Sequence, residues 1–118
     1  MDTLIKILIC LIAVEHFYFL VLEMFLWTKP KGIKAFGIKS EEFAQETKVL
    51  AANQGLYNGF LAAGLIFSLV LNSNEFQLFF LACVTFAGIY GSYSTKKRKL
   101  FFIQGLPALI TLILIFIN

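Results

Sequence analysis

Charge is scarce in this sequence. Asp, Glu, Lys and Arg make up 14% of its 118 residues, where soluble domains carry about a quarter. A chain this short has a high surface-to-volume ratio and needs more polar cover, not less. A water-facing globule is therefore excluded, as are disorder and coiled coil. Histidine occurs once, and the two cysteines, Cys10 and Cys83, form no Cys-x-x-Cys. Zinc or haem ligation and disulfide exchange are thus disfavoured, and both cysteines read as small apolar residues. No phosphate loop, nucleotide fingerprint or Ser-His-Asp spacing is present. No cofactor is expected. The net charge of +3 has no soluble basic domain to carry it, so nucleic acid is not an expected partner.

What the chain has is apolar length. Hydrophobic residues make up 59% of it and aromatics 16%, and its mean hydropathy is +0.83. Four apolar stretches, residues 4–28, 48–71, 76–95 and 100–117, each approach the ~20 residues a helix needs to cross a bilayer. They are too continuous for the alternation of a barrel strand. The expectation is an all-α integral membrane four-helix bundle, folded as a single domain over residues 1–118. The first stretch carries Glu15, His16 and Glu23 and does not read as a cleaved signal peptide.

Orientation follows from the basic residues. The segment 29–47 with its border holds Lys29, Lys31, Lys34, Lys39 and Lys48, and a second cluster is Lys96, Lys97, Arg98 and Lys99. Only Lys6 lies on the other side. Basic loops stay cytoplasmic, so both termini are expected outside the cytoplasm of a multi-pass protein of the cell membrane, with anionic lipids as partners of the loops. Pro30 and Gly32 are expected to break the first helix just past Trp27. Ser40, followed by Glu41 and Glu42, reads as the N-cap of the next helix, and Pro107 as a bend in the last.

Ionisable residues inside a bilayer are expensive, and they mark function more often than not. His16 and Glu23 differ by about 20° around a helix and Glu15 lies within about 100° of both, so all three share one sector. On the second stretch Asn53, Gln54, Tyr57 and Asn58 span an arc of about 140°. Beside it runs the stripe Ala51, Gly55, Gly59 and Ala63, the small-xxx-small pattern of touching helices. Val49, Leu56, Phe60 and Phe67 are left for lipid. Counting rise per residue, Glu23, Asn53–Asn58, Tyr90, Tyr93 and Gln104 fall at one depth. A polar cavity in the cytoplasmic half of the membrane is therefore expected, walled by aromatics and closed on the outer side by aliphatic packing. Its ligand-binding residues would be Glu15, His16, Glu23, Asn53, Gln54, Tyr57, Asn58, Tyr90 and Gln104.

The stretches Glu15–Phe19, Leu22–Trp27, Phe36-Gly37, Ala51–Gly64 and Gln104–Ala108 together resemble the small membrane proteins of the domain of unknown function 1304 family. The resemblance covers nearly the whole chain. It implies a four-helix membrane protein and carries no settled activity, substrate or cofactor.

Three functions compete at this level. The first is binding or transport of a small amphipathic molecule or protons, with Glu23 and His16 handling charge and the amides orienting the ligand. Transport would favour a homo-oligomer, because four short helices barely enclose a pathway. The second is an intramembrane enzyme using Glu or His as acid and base on a lipophilic substrate. Its arrangement is similar to four-helix glutathione- and eicosanoid-metabolising enzymes, but those hold their cofactor with arginines, and Arg98 is the only one here. The third is a structural or regulatory subunit, for which a dry and fully hydrogen-bonded polar cluster is expected.

Overall fold

The computed structural model describes residues 1–118 and contains helices without strands. Helix α1 spans Asp2–Met24, α2 Pro30–Phe36, α3 Glu41–Val70 and α4 Asn74–Thr95. A short α5 (Arg98–Leu100) runs through a π-helical turn (Phe101–Gly105) into α6 (Leu106–Ile117). Three segments are long and apolar enough to cross a membrane: Asp2–Met24, Asn74–Thr95 and Arg98–Ile117. The α3 helix, at 30 residues the longest, covers the expected stretch 48–71 up to Val70 but is not among them. Asn53, Gln54 and Asn58 dilute the apolar half that begins after Lys48.

The outward surface of α1 supports a lipid environment. Leu4, Ile7, Leu11, Val14, Tyr18, Val21 and Phe25 recur at three- and four-residue spacing, and all are exposed. Such a stripe on one helix face is a liability in water and the normal condition in hydrocarbon.

The chain divides into two compact units, residues 1–13 with 63–118, and residues 14–62. The first has a branched aliphatic core of Ile5, Ile9, Ile12, Leu65, Leu81 and Val84. Three buried hydroxyls in it are satisfied by their own helices: Ser68 donates to the Leu65 carbonyl at 2.6 Å, Thr85 to Leu81 at 2.8 Å and Thr111 to Pro107 at 2.8 Å. Back-bonding of this kind lets a hydroxyl sit in an apolar interior. Helix α3 ends in paired bonds, Asn72 N–H to the Leu69 carbonyl at 3.1 Å and Ser73 N–H to Ser68 at 3.0 Å. With Asn72 left-handed at φ 50°, this is the Schellman stop. Ser73 then caps α4, its Oγ accepting from Phe76 N–H at 3.2 Å, which makes the turn as tight as its sequence suggests.

The expected disturbance at Pro107 takes the form of the π turn. Proline has no N–H, and its ring crowds the carbonyl four residues back in a regular ladder. Here Leu106 N–H bonds to the Phe101 carbonyl, five residues back. The widened turn also seats Gly105 against Gly88, where a β-carbon on Gly88 would lie 2.5 Å from the Gly105 Cα.

The second unit is built differently. Its buried residues include Ala44, Ala51 and Ala62, together with His16, Glu23 and Asn58. Ser40 caps α3 as expected, its Oγ accepting from Phe43 N–H at 3.0 Å. The end of α1 differs from expectation: the helix stops at Met24, before Trp27. Pro30 starts α2 rather than breaking α1, since it stands in the first turn, where a missing N–H costs nothing. Gly37 closes α2 at φ 60°.

Candidate functional site

The polar residues of the second unit are positioned by a close approach of α1 and α3. A β-carbon on Gly55 would meet the Met24 side chain at 2.7 Å and the Glu23 Cβ at 3.0 Å, and one on Gly59 would meet Leu20 Cδ1 at 2.5 Å. The two glycines leave room for this spacing, which brings the Asn58 amide to the Glu23 carboxyl. Asn58 Nδ2 donates to Glu23 Oε1 at 2.5 Å, and each residue is 7% exposed. His16 is completely buried two turns earlier on α1. Its ring stands edge-on to Phe19, with centroids 5.3 Å apart.

A second set of contacts ties the polar loop to these helices. Trp27 Nε1 donates to Thr47 Oγ1 at 3.0 Å, and Thr47 Oγ1 donates to the Phe43 carbonyl at 2.7 Å. The Trp27 ring also meets Phe36, with centroids 5.1 Å apart. Lys31 Nζ lies 5.5 Å from the centre of the Tyr18 ring, within cation–π range. The segment 29–47 is thus a folded element rather than an open loop.

The remaining residues singled out from the sequence are spread more widely. Glu15 is half-buried on α1, while Asn53, Gln54 and Tyr57 are exposed on α3. Ala63, the last member of the small-residue stripe, is exposed as well. Tyr90 and Gln104 belong to the other unit, Tyr90 exposed and Gln104 half-buried. Tyr57, Tyr90 and Tyr93, expected to wall a cavity, are 57%, 70% and 80% exposed. Val49, Leu56, Phe60 and Phe67, expected to face lipid, are exposed. Every buried side-chain nitrogen and oxygen has a hydrogen-bond partner, and no three His, Cys, Asp or Glu side chains gather closely enough to hold a metal ion.

A recess that the sequence did not flag lies in the first unit. Its volume is about 380 Å³, and its polar lining is Asp2, Lys6, Asn72, Asn74, Gln77 and Asn118. The available signal was positional. These residues stand at the ends of apolar stretches, where they read as solvated flanks.

Residues 10–116 match the family described as protein of unknown function (DUF1304). The chain is 32% identical over 116 residues to the uncharacterized protein YpaA of Lactococcus lactis subsp. lactis (strain IL1403), covering 96% of this chain and 97% of that one. No solved structure matches it. A match over nearly the full length, on the same segments that carry the buried Glu23–Asn58 pair, leaves one assignment: the chain belongs to the DUF1304 family.

Proposed function

We propose that this is a single-domain protein of the cell membrane that crosses the bilayer four times, and that it binds a small amphipathic molecule or protons at Glu23. Both termini lie outside, and the basic segments 29–47 and 96–99 face the cytoplasm, as the lysine distribution requires. The fourth crossing is α3. Its polar positions Asn53, Gln54 and Asn58 are tolerated because they serve the site.

The observation that carries this reading is the buried pair, Glu23 held by Asn58 at 2.5 Å. A carboxyl group fixed in a membrane-embedded helix contact has a large insertion cost that a functional role explains. A carboxyl group attracts protons and amphipathic cations, and the amides of Asn53 and Gln54, one turn away on α3, supply donors and acceptors that fit either protonation state. A structural reading is favoured by one specific fact: no buried polar side-chain atom lacks a partner, which also suits polar glue between helices.

Glu23→Gln separates the two. Glutamine keeps the oxygen that accepts from Asn58 but can neither ionise nor carry a proton. For protein reconstituted in liposomes, the site reading expects Glu23→Gln to abolish proton uptake or ethidium binding, with an unchanged melting temperature in detergent. Glue expects the opposite contrast, in which Glu23→Gln behaves as wild type in every assay and only Glu23→Ala melts early. Enzyme turnover on a lipophilic substrate would appear as a Glu23-dependent product with ethidium binding intact.

A further inference from the structure

The recess in the first unit is independent of Glu23 and has its own chemistry. It gathers at the beginning of α1, the beginning of α4 and the end of α6. These are the ends of the three segments able to cross a membrane, so the recess sits where hydrocarbon gives way to headgroups. About 380 Å³ lies within the range of small-ligand sites. The lining has both charge signs, Asp2 and Lys6 one helical turn apart, and four side-chain amides.

Gln77 is the most telling member. It is 4% exposed and lines the recess, while its backbone N–H is taken by the Ser73 carbonyl at 3.1 Å. No buried side-chain nitrogen or oxygen is without a partner. The Gln77 amide tip is therefore the part of the residue that reaches the recess. A side chain otherwise enclosed, presenting its donors and acceptor to an open space, is the mark of a built site rather than a surface dent. Asn118 Nδ2 donates to Asp2 Oδ1 at 2.5 Å. This fixes the carboxylate and leaves its second oxygen available.

We infer that this recess binds a zwitterionic phosphoethanolamine group, its ammonium on Asp2 and its phosphate on Lys6 and the amide N–H groups of Gln77 and Asn74. The positive dipole end of α4, whose Phe76 N–H is already capped by Ser73 Oγ, lies on the phosphate side. A primary ammonium brings three N–H donors for the free carboxylate oxygen and the amide oxygens, whereas a quaternary choline brings none. An anion without an ammonium would be repelled by Asp2 and leave its second carboxylate oxygen without a ligand contact. Ile5 and Ile115, which complete the lining, give apolar support for the carbon atoms of the ligand.

The same chemistry comes from two sources, a phosphatidylethanolamine headgroup or the free soluble compound, and one experiment distinguishes them. Full-length protein is placed in nanodiscs holding equal parts phosphatidylethanolamine, phosphatidylcholine and phosphatidylglycerol, and retained lipid is read by native mass spectrometry after transfer to mild detergent. Soluble phosphoethanolamine is titrated in parallel against lipid-free protein, with binding read calorimetrically. Selective retention of phosphatidylethanolamine assigns the lipid, and saturable binding of the soluble compound assigns the free source; either supports the site. Lys6→Gln and Asp2→Asn, both on exposed positions, and Gln77→Leu are each expected to weaken binding about tenfold, the effect of about 1.4 kcal/mol. Equal carry-over of all three lipids with no binding of the soluble compound overturns the inference, as does retention that Lys6→Gln and Asp2→Asn leave unchanged. Should Gln77→Leu fail to fold, the two surface variants still decide.

Discussion

Asn58 and Glu23, 35 positions apart in sequence, share a buried hydrogen bond of 2.5 Å between α3 and α1. Its setting is a place where Gly55 removes any side chain that would separate the two helices. The polar pair and the close packing are therefore one device: without the glycine the amide would not reach, and without the amide the carboxyl would be buried alone.

Replacing Asn58 with Leu leaves Glu23 buried without its donor. The expected loss is about 1–2 kcal/mol of stability, since an orphaned buried group costs more than the bond it made. Glu23→Gln should keep the wild-type melting temperature, and Glu23→Leu combined with Asn58→Leu should recover part of the loss. Thermal unfolding in detergent, followed by circular dichroism across wild type, Asn58→Leu, Glu23→Leu and the Leu pair, measures this as a double-mutant cycle, with Glu23→Gln read beside it.

Side-chain volume at Gly55 should be poorly tolerated. A β-carbon there meets the Met24 side chain at 2.7 Å and the Leu20 carbonyl oxygen at 3.2 Å, so Gly55→Val is expected to cost about 1–3 kcal/mol through overpacking. Gly91→Ala is the contrasting control. The nearest atom to its β-carbon is Leu100 Cδ1 at 4.0 Å, and alanine should gain about 0.5–1 kcal/mol from its better helix propensity. Melting temperatures that move in the same direction for both would contradict the packing described.

Gly88→Ala tests the other unit. Its β-carbon would fall 2.5 Å from both Cα and N of Gly105. Backbone cannot swing aside as a flexible side chain can, so α4 and the π turn must separate. The variant should unfold at a lower temperature than Gly55→Ala, and cysteines placed at positions 88 and 105 should crosslink readily.

Thr47→Val removes the acceptor of the Trp27 indole N–H, a bond of 3.0 Å, while keeping the shape of the side chain. A stability loss of about 0.5–1.5 kcal/mol is expected. Trp27 is the only tryptophan, so tryptophan fluorescence reports on its surroundings alone. The emission maximum should shift in Thr47→Val and stay fixed in Thr47→Ser.

The helices were legible because apolar length and capping chemistry are local signals. Ser40 before two glutamates named the start of α3, and Asn72–Glu75 named the turn into α4, each from side chains that bond their own backbone. The end of α1 was misplaced because Pro30 carries two meanings, a helix breaker and a helix opener, and only the preceding chain decides between them. Glu23 and Asn58 stood out by polarity, and the Gly55 stripe marked where helices touch. Which of the α3 amides would turn inward was not legible. Asn53, Gln54 and Asn58 lie within one and a half turns of each other, and only the packing of α1 selects Asn58. The recess was missed for a related reason: it is made of residues from three distant stretches, each an ordinary flank when read alone.

The π turn at Phe101–Gly105 has a consequence for how the last helix may be edited. A widened turn amounts to one surplus residue lodged in an otherwise regular ladder. Ordinary periodicity counted from Arg98 therefore assigns the wrong side of α6 by one position, roughly 100° of rotation. Excising a single residue within 101–104 would shorten the helix while leaving Ala108 and Thr111, both fully enclosed, pointing inward. The same excision in α4 would turn every later side chain away from its neighbours, so the two deletions should differ sharply in the yield of folded protein.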